Sequence, residues 1–102
     1  MKLSFHDKYV QQISANIYAF VQGSHITNSG FVVFSWGVVV IDSLMTVTLA
    51  NRLKEAIKRV TDKPVKYVVN THFHGDHVFG NQCFLPAGIV GHRNTASMLE
   101  GY

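Results

Sequence analysis

Four side chains that can bind a metal ion stand close together in the sequence, within the motif HxHxDH. They are His72, His74, Asp76 and His77. In an extended segment, side chains two positions apart project to the same side, so His72 and His74 can bind one cation together. Gly75 lacks a Cβ and permits a turn after this pair. That turn would bring Asp76 and His77 to the same region, where they can face a second cation.

The chemistry of these donors indicates the metal and the reaction. Imidazole and carboxylate without thiolate suit zinc first, although iron and manganese accept the same donors. Structural zinc sites are usually closed by four ligands and rich in cysteine, so this motif favours an open catalytic site. Such a site lowers the pKa of a bound water to about 7 and polarises a carbonyl or phosphoryl oxygen, and two ions can share these tasks. The motif therefore predicts a hydrolase, with accidental clustering of histidines and a structural zinc site as the competing interpretations.

The elements that must position the motif follow from the hydrophobic pattern. Short strands are predicted at residues 10–14, 17–22, 30–35 and 38–41. Residues 49–60 repeat apolar side chains at helical spacing opposite charged ones, which predicts an amphipathic helix ended by Pro64. Residues 65–70 form a further predicted strand that leads directly into the motif. After it, residues 87–92 suggest one more short strand, and residues 93–102 begin a helix-like segment.

The strand segments "FVVF" and "VVVI" are continuously apolar, which is typical of a sheet buried on both faces. One amphipathic helix can cover only one face, and the chain offers no comparable second layer. The other face is therefore expected to pack on a missing half of the domain or on a partner chain. A homodimer through this uncovered face is one such arrangement, and in it the two copies could supply metal ligands jointly.

Composition narrows the class of protein. The chain has 102 residues, 47% of them hydrophobic and 15% charged, which predicts one globular domain over residues 1–102, left incomplete by the missing layer.

The longest nearly apolar run falls short of the roughly 20 residues that a membrane-spanning helix needs. The N-terminus lacks the apolar core of a secretory signal, so we expect a cytoplasmic protein. A net charge of +3 is mild, and the basic residues of the helix favour a solvated face over nucleic-acid binding. Cys83, the single cysteine, is expected to be a buried small hydrophobe.

A family resemblance adds to this interpretation. The segment "THFHGDH" follows a strand ending "YVVN", precedes "GN", and comes after "GVVVIDS" and a helix. In this order the segments resemble the N-terminal half of the metallo-β-lactamase superfamily, from about Ile17 to His92. The resemblance implies an α/β fold, the αββα sandwich, in which a mixed β-sheet has flanking helices.

The same resemblance implies roles for individual residues. His72 and His74 would bind the first of two zinc ions, and Asp76 and His77 the second. Asp76 would also manage the proton of the attacking water. Asp42 would lie beside the metal loop and support it, although a simple polar cap at the end of a strand explains this residue equally well.

The chain also departs from the family pattern. Members carry three further metal ligands in their later half, and none can be assigned here. His6, His25 and His92 are interpreted as residues without a metal role. Phe79 stands where many thioesterase-like members have glycine, which weakens a glyoxalase-type assignment.

The sequence therefore predicts the metal-binding half of a zinc hydrolase that uses a metal-bound hydroxide. Its small-molecule substrate would be an ester, thioester, lactone or lactam. Two alternatives stay open: a non-catalytic metal-binding module and an iron-dependent relative of the persulfide dioxygenases. A third, a flavodiiron protein, is disfavoured. His74 argues against the last, because flavodiiron proteins have a glutamate there.

Overall fold

The computed structural model of the chain describes residues 9–21, 28–44, 46–71 and 79–91. In these ranges the strands are β1 (Val10–Ser14), β2 (Ile17–Phe20), β3 (Ser29–Phe34), β4 (Gly37–Ile41), β5 (Val65–Asn70) and β6 (Gly88–Gly91). The helix α1 spans Val47–Val60, and a 3-10 helix spans Phe79–Phe84. The predicted strands and helix are confirmed to within two residues at the ends that the structure describes. The 3-10 helix was not predicted.

The six strands form one mixed sheet in chain order, β1 to β6. The first four pair antiparallel, and the turn at residues 15 and 16 joins β1 to β2 as expected. β5 then lies parallel to β4, and β6 parallel to β5. The switch arises because α1 connects β4 to β5 and returns the chain to the end of the sheet at which β4 begins. The predicted α/β fold with a mixed sheet is confirmed.

Helix α1 covers one face of this sheet. Its N-cap is Thr46, whose hydroxyl oxygen accepts a hydrogen bond of 3.1 Å from the Leu49 backbone N–H. Lys58 and Arg59 occupy its last turn, where positive charge is favourable. The buried side of the helix consists of Ala50, Leu53, Ala56, Ile57 and Val60. These side chains and the covered face of the sheet form the hydrophobic core.

The covered face carries the larger buried side chains. Tyr18 and Phe31 stack in parallel with ring centroids 5.0 Å apart, and burial raises the pKa of the Tyr18 phenol. Neighbouring strands contribute Phe20, Val33, Val38, Val40 and Val68. Cys83 is a free thiol that packs against this core but is only half-buried, so the prediction of a packing residue is confirmed and the prediction of burial is not.

The opposite face of the sheet, which we name the open face, is apolar but less covered. Strand register aligns two rows of side chains on it, one of Ile17, Val32, Val39 and Tyr67, the other of Ala19, Gly30, Ile41, Val69 and Val90. Every one of these residues on the four central strands and on β6 is half-buried or exposed. The described residues thus supply a helical layer on one face only, as the strand pattern predicted. What covers the open face stays a prediction.

Within the described part of the chain, no helix has both the length and the apolar character needed to cross a membrane.

Candidate functional site

The candidate ligands His72, His74, Asp76 and His77 lie outside the described residues. Among the residues that the structure does describe, no group of three or more His, Cys, Asp or Glu side chains could hold a metal ion. The structure instead shows how the chain is held on both sides of the segment 72–78, which we name the metal loop. His6, His25 and His92 also fall outside the described ranges.

Asp42 holds the residue that precedes the metal loop. One of its carboxylate oxygens accepts a hydrogen bond of 2.8 Å from the Thr71 backbone N–H, and the other accepts one of 2.7 Å from the Thr71 hydroxyl. Asp42 itself is buried, with 5% of its surface exposed. A buried carboxylate that accepts two hydrogen bonds from one residue fixes that residue in place. The position of Thr71, immediately before His72, is therefore set by Asp42.

The backbone at Asp42 is held as firmly as its side chain. Its φ of +64° lies in the left-handed region, which aspartate tolerates better than most residues. The Asp42 N–H donates to the Val69 carbonyl oxygen at 2.8 Å, which extends the parallel pairing of β4 and β5. The Ser29 hydroxyl, buried on β3, is shared between the carbonyl oxygens of Ile41 and Asp42 at 2.9 and 2.7 Å. These contacts turn the chain so that the carboxylate faces Thr71.

The other end of the metal loop is anchored at Gly80. Its N–H donates to the Leu44 carbonyl oxygen at 2.8 Å. A Cβ at this position would collide with the Ser43 carbonyl oxygen and lie 2.9 Å from the Cβ of Ala50. Only glycine allows this approach of the 3-10 helix to the chain between β4 and α1.

A pair of amide side chains joins the two ends. The Asn81 amide donates to the Asn70 side-chain oxygen at 2.8 Å, and the Asn70 amide donates back to the Asn81 oxygen at 3.1 Å. The same Asn81 oxygen accepts from the Ser43 hydroxyl at 2.6 Å. Ser43 and Asn70 are both buried. This amide bridge connects the last residue of β5 to the residue that follows Gly80, and so closes the base of the metal loop.

The described residues on the two sides of the metal loop, Thr71 and Gly80, therefore both lie near the carboxyl ends of two parallel strands, β4 and β5. Ligand sites in α/β sheets commonly lie at such carboxyl ends. The prediction that Asp42 lies near the metal loop is confirmed at Thr71, the residue directly before the loop. Its contact with the ligands themselves stays a prediction.

Four residues of this frame were missed in the sequence: Ser43, Asn70, Thr71 and Asn81. Their common signal is a small polar residue at or just after the end of a strand, or shortly after the motif. Because neighbouring parallel strands end at the same edge, polar residues in "IDS" and "VVNT" are expected to meet there. The partner of Asn70 could not be inferred, since it depends on where the 3-10 helix returns.

Comparison with known proteins identifies the family. The sequence profile of the metallo-beta-lactamase superfamily matches residues 23–96. The chain belongs to the metallo-beta-lactamase superfamily. Members typically bind metal ions, often zinc, and the donor set of three imidazoles and one carboxylate fits that chemistry. The superfamily includes hydrolases such as lactamases and sulfatases.

The similar proteins include both kinds of enzyme. A linear primary-alkylsulfatase of Pseudomonas sp. is 33% identical over 49 residues, which is 48% of this chain and 9% of that enzyme. A solved metallo-beta-lactamase of Pontibacter korlensis is 25% identical, with a TM-score of 0.75 over 90% of this chain and 46% of its own length. A solved stereoselective inverting sec-alkylsulfatase of Pseudomonas sp. is 27% identical, with a TM-score of 0.65 over 74% of this chain and 12% of its own length. The chain thus spans less than half the length of each of these relatives.

The contribution of the amide bridge to the free energy of unfolding can be tested. Replacing Asn81 by alanine removes the oxygen that accepts from Ser43 and Asn70 and the amide that donates to Asn70. Losing these part-buried bonds is expected to lower the free energy of unfolding by about 2 kcal/mol, as measured by urea denaturation. Gln82→Ala, at the exposed neighbouring position, is the control and should change it by less than about 0.5 kcal/mol. Equal stability of the two variants would contradict the bridge.

Proposed function

We propose that this chain is the metal-binding half of a zinc-dependent hydrolase acting on an ester, thioester, lactone or lactam. The observation that carries the proposal is the anchoring of the metal loop at both ends by the buried frame of Asp42, Ser43, Asn70 and Gly80. A loop that carries catalytic ligands needs such preorganisation, because small errors of position cost much of the rate. A loop without a site would have little use for it.

The roles of the loop residues follow from the donor set and from the family. His72 and His74 would hold one zinc ion, and Asp76 and His77 the other. Two bound Zn²⁺ ions would supply Lewis-acid polarisation of the substrate and a water of lowered pKa. A carboxylate oxygen of Asp76 would accept the proton that the attacking water releases. Asp42 would act through Thr71, by fixing where the metal loop begins.

An alkyl sulfate ester is a second candidate substrate. It is supported by the 33% identity, over 49 residues, to a linear primary-alkylsulfatase. The neighbouring proteins of known structure include both alkylsulfatases and lactamases. Because this chain covers a small part of the alkylsulfatases, the substrate is best decided by direct assay.

The test uses the purified 102-residue chain with zinc supplied. Isothermal titration would give the number of zinc ions bound per chain, and we expect a fixed ratio. Hydrolysis would then be followed with an aryl ester, a thioester, a lactone, a β-lactam and dodecyl sulfate. We expect slow turnover of one class that stops on addition of a chelator and returns with zinc.

Asp76→Ala separates an enzyme from a metal-binding module. We expect this variant to lose the hydrolysis, while Asp62→Ala, an exposed aspartate between α1 and β5, keeps it. If no substrate class is turned over but zinc still binds in a fixed ratio, the chain is a binding module. Iron carried through purification, together with oxygen-dependent turnover, would overturn the zinc assignment.

A further inference from the structure

A cleft lies between the second half of α1 and the segment 83–86, and we name it the lysine cleft. Its volume is about 460 Å³, within the range of about 300–1,000 Å³ that is common for small-molecule sites. Val65, the first residue of β5, lines it, whereas the metal loop follows Asn70 at the other end of that strand. At about 3.3 Å per residue, the two ends of β5 lie roughly 17 Å apart. The lysine cleft is therefore separate from the metal loop.

Both walls of the lysine cleft are held by hydrogen bonds. On the helix side, the Thr61 N–H donates to the Ile57 carbonyl oxygen at 2.9 Å, and the Lys63 N–H donates to the Thr61 hydroxyl oxygen at 3.2 Å. On the opposite side, the Ala87 N–H donates to the Phe84 carbonyl oxygen at 2.9 Å and closes the turn between these two residues. Walls that are fixed in advance can bind a ligand without the cost of ordering backbone.

One part of the lysine cleft is apolar. Ile57 and Phe84 belong to the hydrophobic core and also line the cleft. Leu85 and Pro86 continue this apolar surface outward, and 63% of the Leu85 side chain is exposed. Apolar surface in contact with water costs free energy, and a hydrocarbon chain that covers it recovers that cost. This part of the cleft is suited to an alkyl chain.

The other part of the lysine cleft is cationic. Lys54, Lys58 and Lys63 line it, and Asp62 is the one acidic residue among the described residues that do so. Lys54 and Lys58 are four residues apart on α1, so they are neighbours on the helix surface and repel each other. Within the described part of the chain, none of the three ammonium groups has an ion-pair partner. An anion in the cleft would balance this excess of positive charge.

We propose that the lysine cleft binds a single-chain amphiphile with an anionic head group, such as a fatty carboxylate. The head group accepts hydrogen bonds from the ammonium groups of Lys54 and Lys58, and the hydrocarbon chain covers Phe84 and Leu85. Charge-assisted hydrogen bonds of this kind are stronger than neutral ones. An uncharged chain would leave the lysines unbalanced, and a compact anion would leave the apolar part in water. The two parts of the cleft therefore select for the two parts of the ligand.

This inference does not rest on the proposed hydrolysis, because every residue that carries it lies outside residues 72–78. The head group and a chain of about ten carbons are expected to give a dissociation constant on the order of 100 μM. Zinc should leave that constant unchanged.

The test is a titration of the isotope-labelled chain with decanoate, kept below its micelle concentration and followed by the amide signals in NMR spectra. We expect saturable shifts at Ile57, Cys83 and Phe84, and none at Thr71 or Gly80 beside the metal loop. Decanol, decyltrimethylammonium and acetate each lack one part of the ligand and should bind at least about fivefold more weakly. Equal binding of decanol or decyltrimethylammonium, shifts confined to the metal-loop side, or binding that requires zinc would overturn the proposal.

Substitutions then test the two parts of the cleft separately. Lys54→Glu should weaken decanoate binding about tenfold, because an attraction becomes a repulsion. It also places a glutamate four residues before Lys58, an arrangement that favours the helix. Arg52→Glu is the control, since it makes the same change of charge on α1 but lines a different groove, and should alter the affinity less than about twofold.

Leu85→Ser removes exposed apolar surface without opening the core and should weaken decanoate binding about fivefold. Circular dichroism would confirm that all three variants are folded. Equal losses in Lys54→Glu and Arg52→Glu would mean that net charge alone attracts the ligand, and unchanged affinity in Leu85→Ser would mean that the chain lies elsewhere. Either result would overturn the proposal.

Discussion

Replacing Gly80 by alanine is expected to be the most damaging single-methyl substitution in the described structure. The added Cβ would overlap the Ser43 carbonyl oxygen and lie 2.9 Å from the Ala50 Cβ. Neither neighbour can move easily, because one is backbone and the other belongs to the buried side of α1. The 3-10 helix would have to withdraw, breaking the 2.8 Å bond from the Gly80 N–H to the Leu44 carbonyl oxygen.

The expected loss is more than about 4 kcal/mol of the free energy of unfolding, since overpacking and a lost anchor add together. Most domains are stable by only about 5–15 kcal/mol, so the variant would be close to unfolded. Urea denaturation, or the yield of folded protein if the variant does not refold, measures the effect.

Gly88→Ala is the matched control. Its Cβ would meet the Tyr67 ring at 3.0 Å, and that side chain is 46% exposed and can turn aside. We expect a cost below about 1 kcal/mol. If Gly80→Ala proved as stable as Gly88→Ala, the packing of the 3-10 helix against Ser43 and α1 would be wrong.

The second large effect is expected from Asp42→Asn. The amide keeps the size of the side chain, and asparagine also tolerates the positive φ of +64°. It offers one acceptor oxygen where the carboxylate offers two, so the hydrogen bonds from the Thr71 N–H and hydroxyl can no longer both be kept in the same form. We expect a loss of about 2 kcal/mol in stability.

The larger consequence concerns the metal loop. If Asp42 sets the position of the ligands through Thr71, Asp42→Asn should weaken zinc binding by about 10- to 100-fold, as measured by isothermal titration. Thr71→Val keeps the N–H and removes only the hydroxyl, so its effect should be smaller and in the same direction. The double variant tests the mechanism, because two substitutions acting through one contact are not additive. Unchanged zinc affinity in Asp42→Asn would show that Asp42 stabilises the fold without affecting metal binding.

The hydrophobic pattern predicted most of the fold because each element follows from local repeats. The helix α1 and the turn at residues 15 and 16 can be predicted from their local apolar spacing and turn residues, without knowledge of long-range contacts. The 3-10 helix at Phe79–Phe84 had no such signal. Its segment contains no helical repeat, and it is held by the close approach of its own Gly80 to Ser43 and Ala50, which are distant in sequence.

The candidate metal donors were the clearest chemical signal, because ligand types and spacing are properties of the sequence itself. The frame that holds them was harder to see. Asp42 was interpreted as either a support for the loop or a strand cap, and its two bonds to Thr71 place its carboxylate at the residue directly before the motif. The Asn70–Asn81 bridge joins residues 11 apart, and its existence depends on where the loop returns.

The sequence by itself determined the family and the strand and helix pattern, and it carries the four candidate metal donors of the motif. These are local or compositional properties, so they can be read along the chain. Only the tertiary structure decided which polar residues meet at the ends of β4 and β5 and why position 80 must be glycine. Each of these depends on strand register and on the return of the chain across distances that local pattern does not encode.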